Sequence, residues 1–210
     1  MLDKPARVFV IDDDPSMRRS LTYLLDSFNY DVETFASAEE FLSRSPYEGV
    51  ACIVLDVRMQ GLSGLDLQDR LSRREHPLPV IFITGHGDLP MGVRAMKKGA
   101  VDFLAKPFDD EELVAAVEIA LEKAEKAQEK YRMLHELRQR LETLSRREFD
   151  VFRHVVSGRL NKETASALKI AEQTVKIHRG RIMKKLRVAS LAELVRLAVR
   201  CDVPPLEERE

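Results

Sequence analysis

The chain has very few cysteines: among its 210 residues only Cys52 and Cys201 occur. Two thiols cannot build a disulfide framework, and no Cys/His spacing suits a metal site. Both are expected to be small core hydrophobes in a reducing compartment, the cytoplasm. Long apolar runs are also missing. None approaches the roughly 20 residues that a membrane-spanning helix needs, so no membrane role is expected. The opening stretch MLDKPARVFVIDDD is not shaped like a secretory signal, because its apolar run is short and ends in acids. Nor is there an overall excess of one charge, with 34 Lys and Arg against 35 Asp and Glu. That balance hides an asymmetry. Residues 1–123 carry 14 basic against 22 acidic side chains, a net of −8, and residues 143–201 carry 14 against 5, a net of +9. The length suits two modest domains. An acidic front and a basic back give them different tasks, the second on a polyanion.

Four short apolar runs in the first half each end in a reactive polar residue. RVFVI leads into Asp12 and Asp13, ACIVL into Asp56, VIFI into Thr84, and VDFLA into Lys106 followed by Pro107. Runs of this length separated by helix-like segments predict buried parallel strands. Strands are expected near 7–11, 31–34, 51–55, 79–83 and 101–104, with helices near 15–27, 38–44, 63–75, 89–98 and from 109 onward. Asp14-Pro15 supplies an N-cap and a first-turn proline. Ser37 and Glu40 have capping-box spacing, and Gly99 after Lys97-Lys98 is a C-cap signal. Strand and helix in alternation imply a doubly wound α/β domain with five parallel strands.

In an open parallel sheet, ligands bind at the carboxyl ends of the strands. Asp12, Asp13, Asp56, Thr84 and Lys106 are therefore expected to converge. Carboxylates that close raise one another's pKa, and a divalent ion with a preference for hard oxygens, such as Mg²⁺, resolves the conflict. Asp56 stands alone at the end of the central strand and is the candidate nucleophile, while Asp12 and Asp13 form a clamp for the metal. Thr84 can donate to a phosphoryl oxygen, and Lys106 can offset its charge.

From Asp109 the helical pattern runs well past a normal length. Leu113, Val117, Ala120, Ala124, Ala127, Tyr131, Leu134, Arg138 and Leu141 follow a heptad step. This segment is either a connector that carries or dimerises a signal, or the last helix of the α/β domain extended as a solvated spacer. The last third is all helical. Leu144-Ser145-Arg146-Arg147-Glu148 opens one helix with a capping box, Asn161 caps a second near 161–168, a third runs near 172–186, and Ser190 with Glu193 boxes a fourth near 191–201. In the third, Val175, His178, Ile182 and Leu186 share one face. Gln173, Lys176, Ile177, Gly180 and Lys184 share the opposite one. A packed back and a basic front suit the major groove of DNA. Arg179 and Lys185 lie on the flanks, suited to phosphate contact or pairing within the domain, and Lys162 could touch the DNA backbone.

The stretches VIDDD, LDVRM, FITGHGD and DFLAKPF resemble a two-component receiver domain of flavodoxin-like fold. Residues 143–200 resemble a LuxR-type helix-turn-helix domain through Leu144, Glu148, Gly158, Asn161, Lys162, Thr174, Val175, His178, Ile182 and Lys185, among others. Together they resemble the NarL/FixJ class of response regulators, FixJ-like branch. The division is then 1–123 receiver, 124–142 helical linker, and 143–210 DNA-binding domain with an acidic tail. The resemblance implies that Asp56 accepts phosphate from a sensor histidine kinase. Mg²⁺ would be held by Asp12, Asp13, Asp56 and the Arg58 backbone carbonyl. Thr84 and Phe103 would be the switch pair, and Arg58 and His86 would tune dephosphorylation. It implies homodimerisation on phosphorylation through a surface around Val93, Lys97 and Val101. Operator DNA would be met by Lys162, Gln173, Thr174, Lys176, Ile177, Arg179, Gly180 and Lys184, and RNA polymerase is a further implied partner.

Two positions depart from the pattern. Gln60 stands where proline is usual, so the loop before Gly61 loses a φ constraint. Ala171 stands where serine usually caps the recognition helix. Two other functions are compatible with parts of the chain: a receiver-linked adaptor that binds protein, and a Mg²⁺-dependent aspartyl-phosphate phosphatase. The latter lacks a second acid after the nucleophile, because Val57 and Arg58 follow Asp56.

Overall fold

The computed structural model describes residues 6–73, 77–85, 89–204 and 206. They form two compact units divided between Glu129 and Lys130. In the first unit, strands β1 (Arg7–Ile11), β2 (Asp31–Phe35), β3 (Ala51–Asp56), β4 (Val80–Thr84) and β5 (Asp102–Ala105) alternate with helices α1 (Pro15–Ser27), α2 (Ala38–Ser43), α3 (Gly64–Leu71), α4 (Leu89–Lys97) and the start of α5 (Asp110–Glu142). The sheet is parallel throughout, in the order β2-β1-β3-β4-β5. Chain order reverses between β1 and β3, so the crevice that such a sheet offers a ligand opens there.

Strand residues alternate between two cores, as a period of two requires. Val8, Val10, Cys52, Val54, Ile81 and Ile83 pack with Leu21 and Leu25 of α1 and Leu113, Val117 and Ala120 of α5. Phe9, Ile11, Ile53, Leu55 and Phe82 face the other way, onto Phe41 of α2, Leu67 and Leu71 of α3 and Ala95 of α4. Coverage on both faces explains why β3 is buried along its whole length. The caps form where expected, except that the Ser37–Glu40 box is not reciprocal, because Glu40 Oε2 takes the Ala36 N–H at 2.6 Å. Asp14 accepts from the Ser16 N–H and Ser37 from the Glu40 N–H, and Gly99 adopts φ +91° beyond α4. Helix α3 is shorter than expected and ends at Leu71, while residues 74–76 lie outside the described residues.

The heptad step along α5 is broken in its burial. Leu113, Val117, Ala120 and Ala124 belong to the first unit's core, so this part of the helix takes the domain-helix alternative. Ala127 and Arg138 are exposed. In the second unit, Leu137 and Leu141 pack against the core made by α6 (Arg146–Val156), α7 (Asn161–Leu168), α8 (Glu172–Leu186) and α9 (Leu191–Arg200). A 3.5-residue period marks any helix with one buried stripe, so it cannot by itself distinguish a coiled-coil seam from a core face.

One cap is corrected. The N-cap of α7 is Leu160, not Asn161, and no side-chain oxygen caps it. The Leu160 N–H is instead taken by Glu163 Oε2 at 2.7 Å, and Asn161 Oδ1 accepts from the Arg179 guanidinium at 2.6 Å. With its oxygen committed across to α8, Asn161 enters the helix as an ordinary first-turn residue.

Candidate functional site

Register builds the first site. Ile11 pairs with Leu55, so Asp12 and Asp56, one residue further on, emerge side by side at the switch point between β1 and β3. Thr84 ends β4 opposite Ala105 of β5, and Lys106 follows. The Lys106 N–H donates to the Thr84 carbonyl at 2.7 Å, and the Lys106–Pro107 peptide is cis. Lys106 Nζ then bridges the carboxylates, at 2.7 Å from Asp12 Oδ2 and 2.8 Å from Asp56 Oδ1. Asp12 and Thr84 are each 1% exposed and Asp56 is 7% exposed. Burial, with the nearby Asp12 charge, pushes the Asp56 carboxyl above its usual range against the pull of Lys106. Burial opposes the Lys106 ammonium too, yet its bonds to Asp12 and Asp56 outweigh this and hold its pKa above the ordinary lysine value.

Asp13 does not join them. Its Oδ2 accepts from the Gln60 N–H at 3.3 Å. Among the described residues no group of three or more His, Cys, Asp or Glu side chains is gathered closely enough to hold a metal ion. The expected convergence of three carboxylates is thus met by Asp12 and Asp56, with the Lys106 ammonium supplying the neutralising charge between them. The donor chemistry suits a small hard cation: two buried carboxylates, a third in the same loop, and backbone carbonyls.

The β3–α3 loop closes over Asp56. Asp56 Oδ2 accepts from the Arg58 N–H at 2.7 Å, and the Gly64 N–H returns to the Val57 carbonyl at 3.1 Å. Phe103 is half-buried, with its ring centroid 6.3 Å from that of Phe82. A Cβ at Gly92 of α4 would stand 3.2 Å from this ring. His86 lies outside the described residues.

Three residues of this neighbourhood escape a reading of strand ends. The Arg18 guanidinium on α1 donates to the Asp12 carbonyl at 2.6 Å. Gly64 opens α3 so close to the Asp56 carbonyl that a Cβ there would collide with it. Glu39 reaches the β3–α3 loop from α2. Only Gly64 leaves a trace in the sequence, as a glycine just after the helix-capping Ser63.

The second site lies on α8. Val175, Ile182 and Leu186 are buried, and His178 is half-buried with its Nδ1 shielded from solvent. Gln173, Lys176, Ile177, Gly180 and Lys184 are exposed on the other face, and Ile177 keeps 48% of its surface. Thr174 is half-buried, and Lys162 on α7 is exposed. A Cβ at Gly180 would meet nothing within 4 Å, so backbone is accessible there. The flanking bases pair within the unit: Arg179 with Asn161, and Lys185 with Glu148 Oε2 at 2.6 Å and the Thr143 carbonyl at 2.9 Å.

Residues 8–118 match the family described as response regulator receiver domain, and residues 142–198 match bacterial regulatory proteins of the luxR family. Nodulation protein W of Bradyrhizobium diazoefficiens is 53% identical over 193 residues, covering 92% of this chain and 85% of its own. The transcriptional regulatory protein FixJ of the same organism is 43% identical over 196 residues, covering 93% and 96%. The solved structure of the response regulator StyR superposes with a TM-score of 0.80 at 44% identity, over 94% of this chain and 100% of that one. A receiver unit with its carboxylates at the sheet's switch point, followed by a luxR-family helical unit with a basic recognition face, makes this chain a response regulator of the NarL/FixJ type, a phosphorylation-dependent transcriptional regulator.

Proposed function

We propose that Asp56 is the phosphoacceptor of this regulator. Its carboxylate forms a bond to the phosphorus of a kinase phosphohistidine as the P–N bond breaks, and the imidazole departs with the electron pair and takes up a proton. The observation that carries this is the Lys106 ammonium bridging the buried Asp56 and Asp12 carboxylates at 2.8 and 2.7 Å. Asp12, Asp56 and the Arg58 carbonyl would hold Mg²⁺, joined by Asp13 once its Oδ2 leaves the Gln60 N–H, and the ion when bound would neutralise charge on the phosphoryl oxygens. Lys106 offsets the charge that the phosphoryl group adds, and the Thr84 hydroxyl donates to one of its oxygens. Arg58 and His86 set the rate at which water attacks the phosphorus, breaking its bond to Asp56 so that inorganic phosphate leaves and the carboxylate is restored.

Withdrawal of Thr84 toward the phosphoryl group draws Phe103 inward. The surface of α4, β5 and α5 around Val93, Lys97 and Val101 then pairs with a second copy. Two copies present two α8 helices to operator half-sites, with Gln173, Thr174, Lys176, Ile177, Gly180 and Lys184 toward the bases and Lys162 and Arg179 toward the phosphates. RNA polymerase is the downstream partner, and the cytoplasm is the site of action. The protein is to be incubated with a labelled phosphodonor and Mg²⁺. Label on the wild type and none on Asp56→Asn supports the assignment, and label retained by Asp56→Asn overturns it.

A further inference from the structure

Gln60 denies the β3–α3 loop the φ restraint of proline, yet the loop is held at several points. The Gln60 N–H donates to Asp13 Oδ2 at 3.3 Å, and the Leu62 N–H donates to Glu39 Oε1 at 3.0 Å. Gly61 between them adopts φ +80°, and a Cβ there would lie 2.9 Å from the same Glu39 oxygen. The crest of the loop therefore rests directly on a carboxylate contributed by α2, 23 positions earlier in the chain. Helix α2 has its own N-terminal provision: Ser37 Oγ caps the Glu40 N–H at 3.1 Å, and Glu40 Oε2 takes the Ala36 N–H at 2.6 Å. Donation from its own backbone N–H and from Leu62 holds the Glu39 carboxyl below the usual glutamate range.

The same loop carries the Arg58 N–H that orients Asp56 Oδ2 at 2.7 Å. Slack at Leu62 is therefore passed along the loop to the oxygen that must meet phosphorus. We infer that Glu39 is a positioning residue for phosphoryl transfer: its carboxylate braces the loop over Asp56, doing what a proline at position 60 would otherwise do through the backbone. The inference rests on Asp56 being the phosphoacceptor.

The test uses the full chain, an acyl phosphate carrying labelled phosphorus, and a series of Mg²⁺ concentrations. Glu39→Ala is expected to take up label about tenfold more slowly than the wild type at saturating Mg²⁺, the scale of loss from a loosely held reacting group. Its melting temperature should stay within about 2 °C of the wild type, since the side chain is on the surface. Glu39→Gln keeps an acceptor oxygen and should recover much of the rate. The pair Glu39→Ala with Gln60→Pro restores the φ restraint but removes the Gln60 N–H that Asp13 accepts, so it should recover the rate in part. If Glu39→Ala labels at the wild-type rate, or if neither Glu39→Gln nor Gln60→Pro restores a slowed rate, the brace is wrong while Asp56 stands. A wild type that takes no label, or an Asp56→Asn that does, fails the phosphoacceptor assignment itself.

Discussion

Asp56 and Lys106 meet at 2.8 Å although 50 positions separate them in the chain. Burial and the Asp12 charge nevertheless hold the Asp56 carboxyl above its usual range. A carboxyl raised in the folded state binds its proton more tightly there than in the unfolded chain. Its contribution to stability is therefore present below the unfolded pKa and lost as pH rises through the folded one. Above the folded pKa the Asp56 carboxylate is therefore less well accommodated in the native state than in the unfolded chain. Asp56→Asn should then stabilise the receiver unit at pH 7 by about 1 kcal/mol, the ordinary scale of a single substitution. The advantage should fade as the pH drops through the folded pKa, where both residues are neutral. Urea unfolding of the two proteins across that range measures it, and a variant less stable at pH 7 would contradict the origin given for the shift.

Glu148 gives the opposite sign. The Lys185 ammonium, 2.6 Å from its Oε2, and the Ser145 backbone hold this buried carboxyl down at about 2. A depressed folded pKa means stability that is complete above the unfolded value and lost as pH falls toward the folded one. The helical unit should therefore weaken between the normal carboxylate range and pH 2. Glu148→Ala strips the capping box from α6 and leaves the exposed Lys185 with only the Thr143 carbonyl among the described residues, and should cost about 1–2 kcal/mol at pH 7. Amide exchange in α6 to α9 reads both effects. Protection in the variant equal to wild type at pH 7 would contradict this account.

The strand ends were legible because a buried parallel strand is a short apolar run, and the first polar residue after it marks the ligand side of the sheet. That logic puts Asp12, Asp56, Thr84 and Lys106 together correctly. It says nothing of a side chain's direction after the strand has ended, so the turn of Asp13 toward Gln60 could not be foreseen. Glu39 and Arg18 lie on helices whose local patterns are already explained by capping and amphipathicity, and only the tertiary packing brings them to the site. Asn161 misled for a related reason. Its preference for N-caps is real, but Arg179 competes for the same oxygen, and Glu163 satisfies the backbone in its place.

Ala171 is the N-cap of α8 and has the extended backbone of a capping residue, φ −68° and ψ 146°, but no side-chain acceptor. Serine fits that conformation without rearrangement and supplies the missing oxygen. Ala171→Ser should stabilise the helical unit by about 1 kcal/mol. A rise in the melting transition of that unit checks it, and no change or a fall would count against the cap geometry.

The two kinds of basic residue on α8 should separate in binding experiments. Lys184 and Lys176 are exposed on the face away from Val175 and Ile182, and Lys176 makes a weak pair with Glu172 at 3.6 Å. An exposed ion pair of that length is worth little, so removing either lysine should leave the unit's stability nearly unchanged. If a lysine neutralises one phosphate, its loss reduces the steepness of the log affinity against log salt line by about one. If it meets a base instead, the slope holds and discrimination among operator variants falls. Arg179 differs because its guanidinium joins α8 to α7 through Asn161 at 2.6 Å. Arg179→Ala should lower both DNA affinity and the unit's melting temperature, and Asn161→Ala should reproduce the thermal loss with a smaller effect on the salt slope. Anisotropy titrations on a selected operator duplex at several salt concentrations, run beside thermal melts, measure all four variants. An Arg179→Ala protein with wild-type stability and a slope reduced by one would make Arg179 a phosphate contact first and a brace between α7 and α8 second.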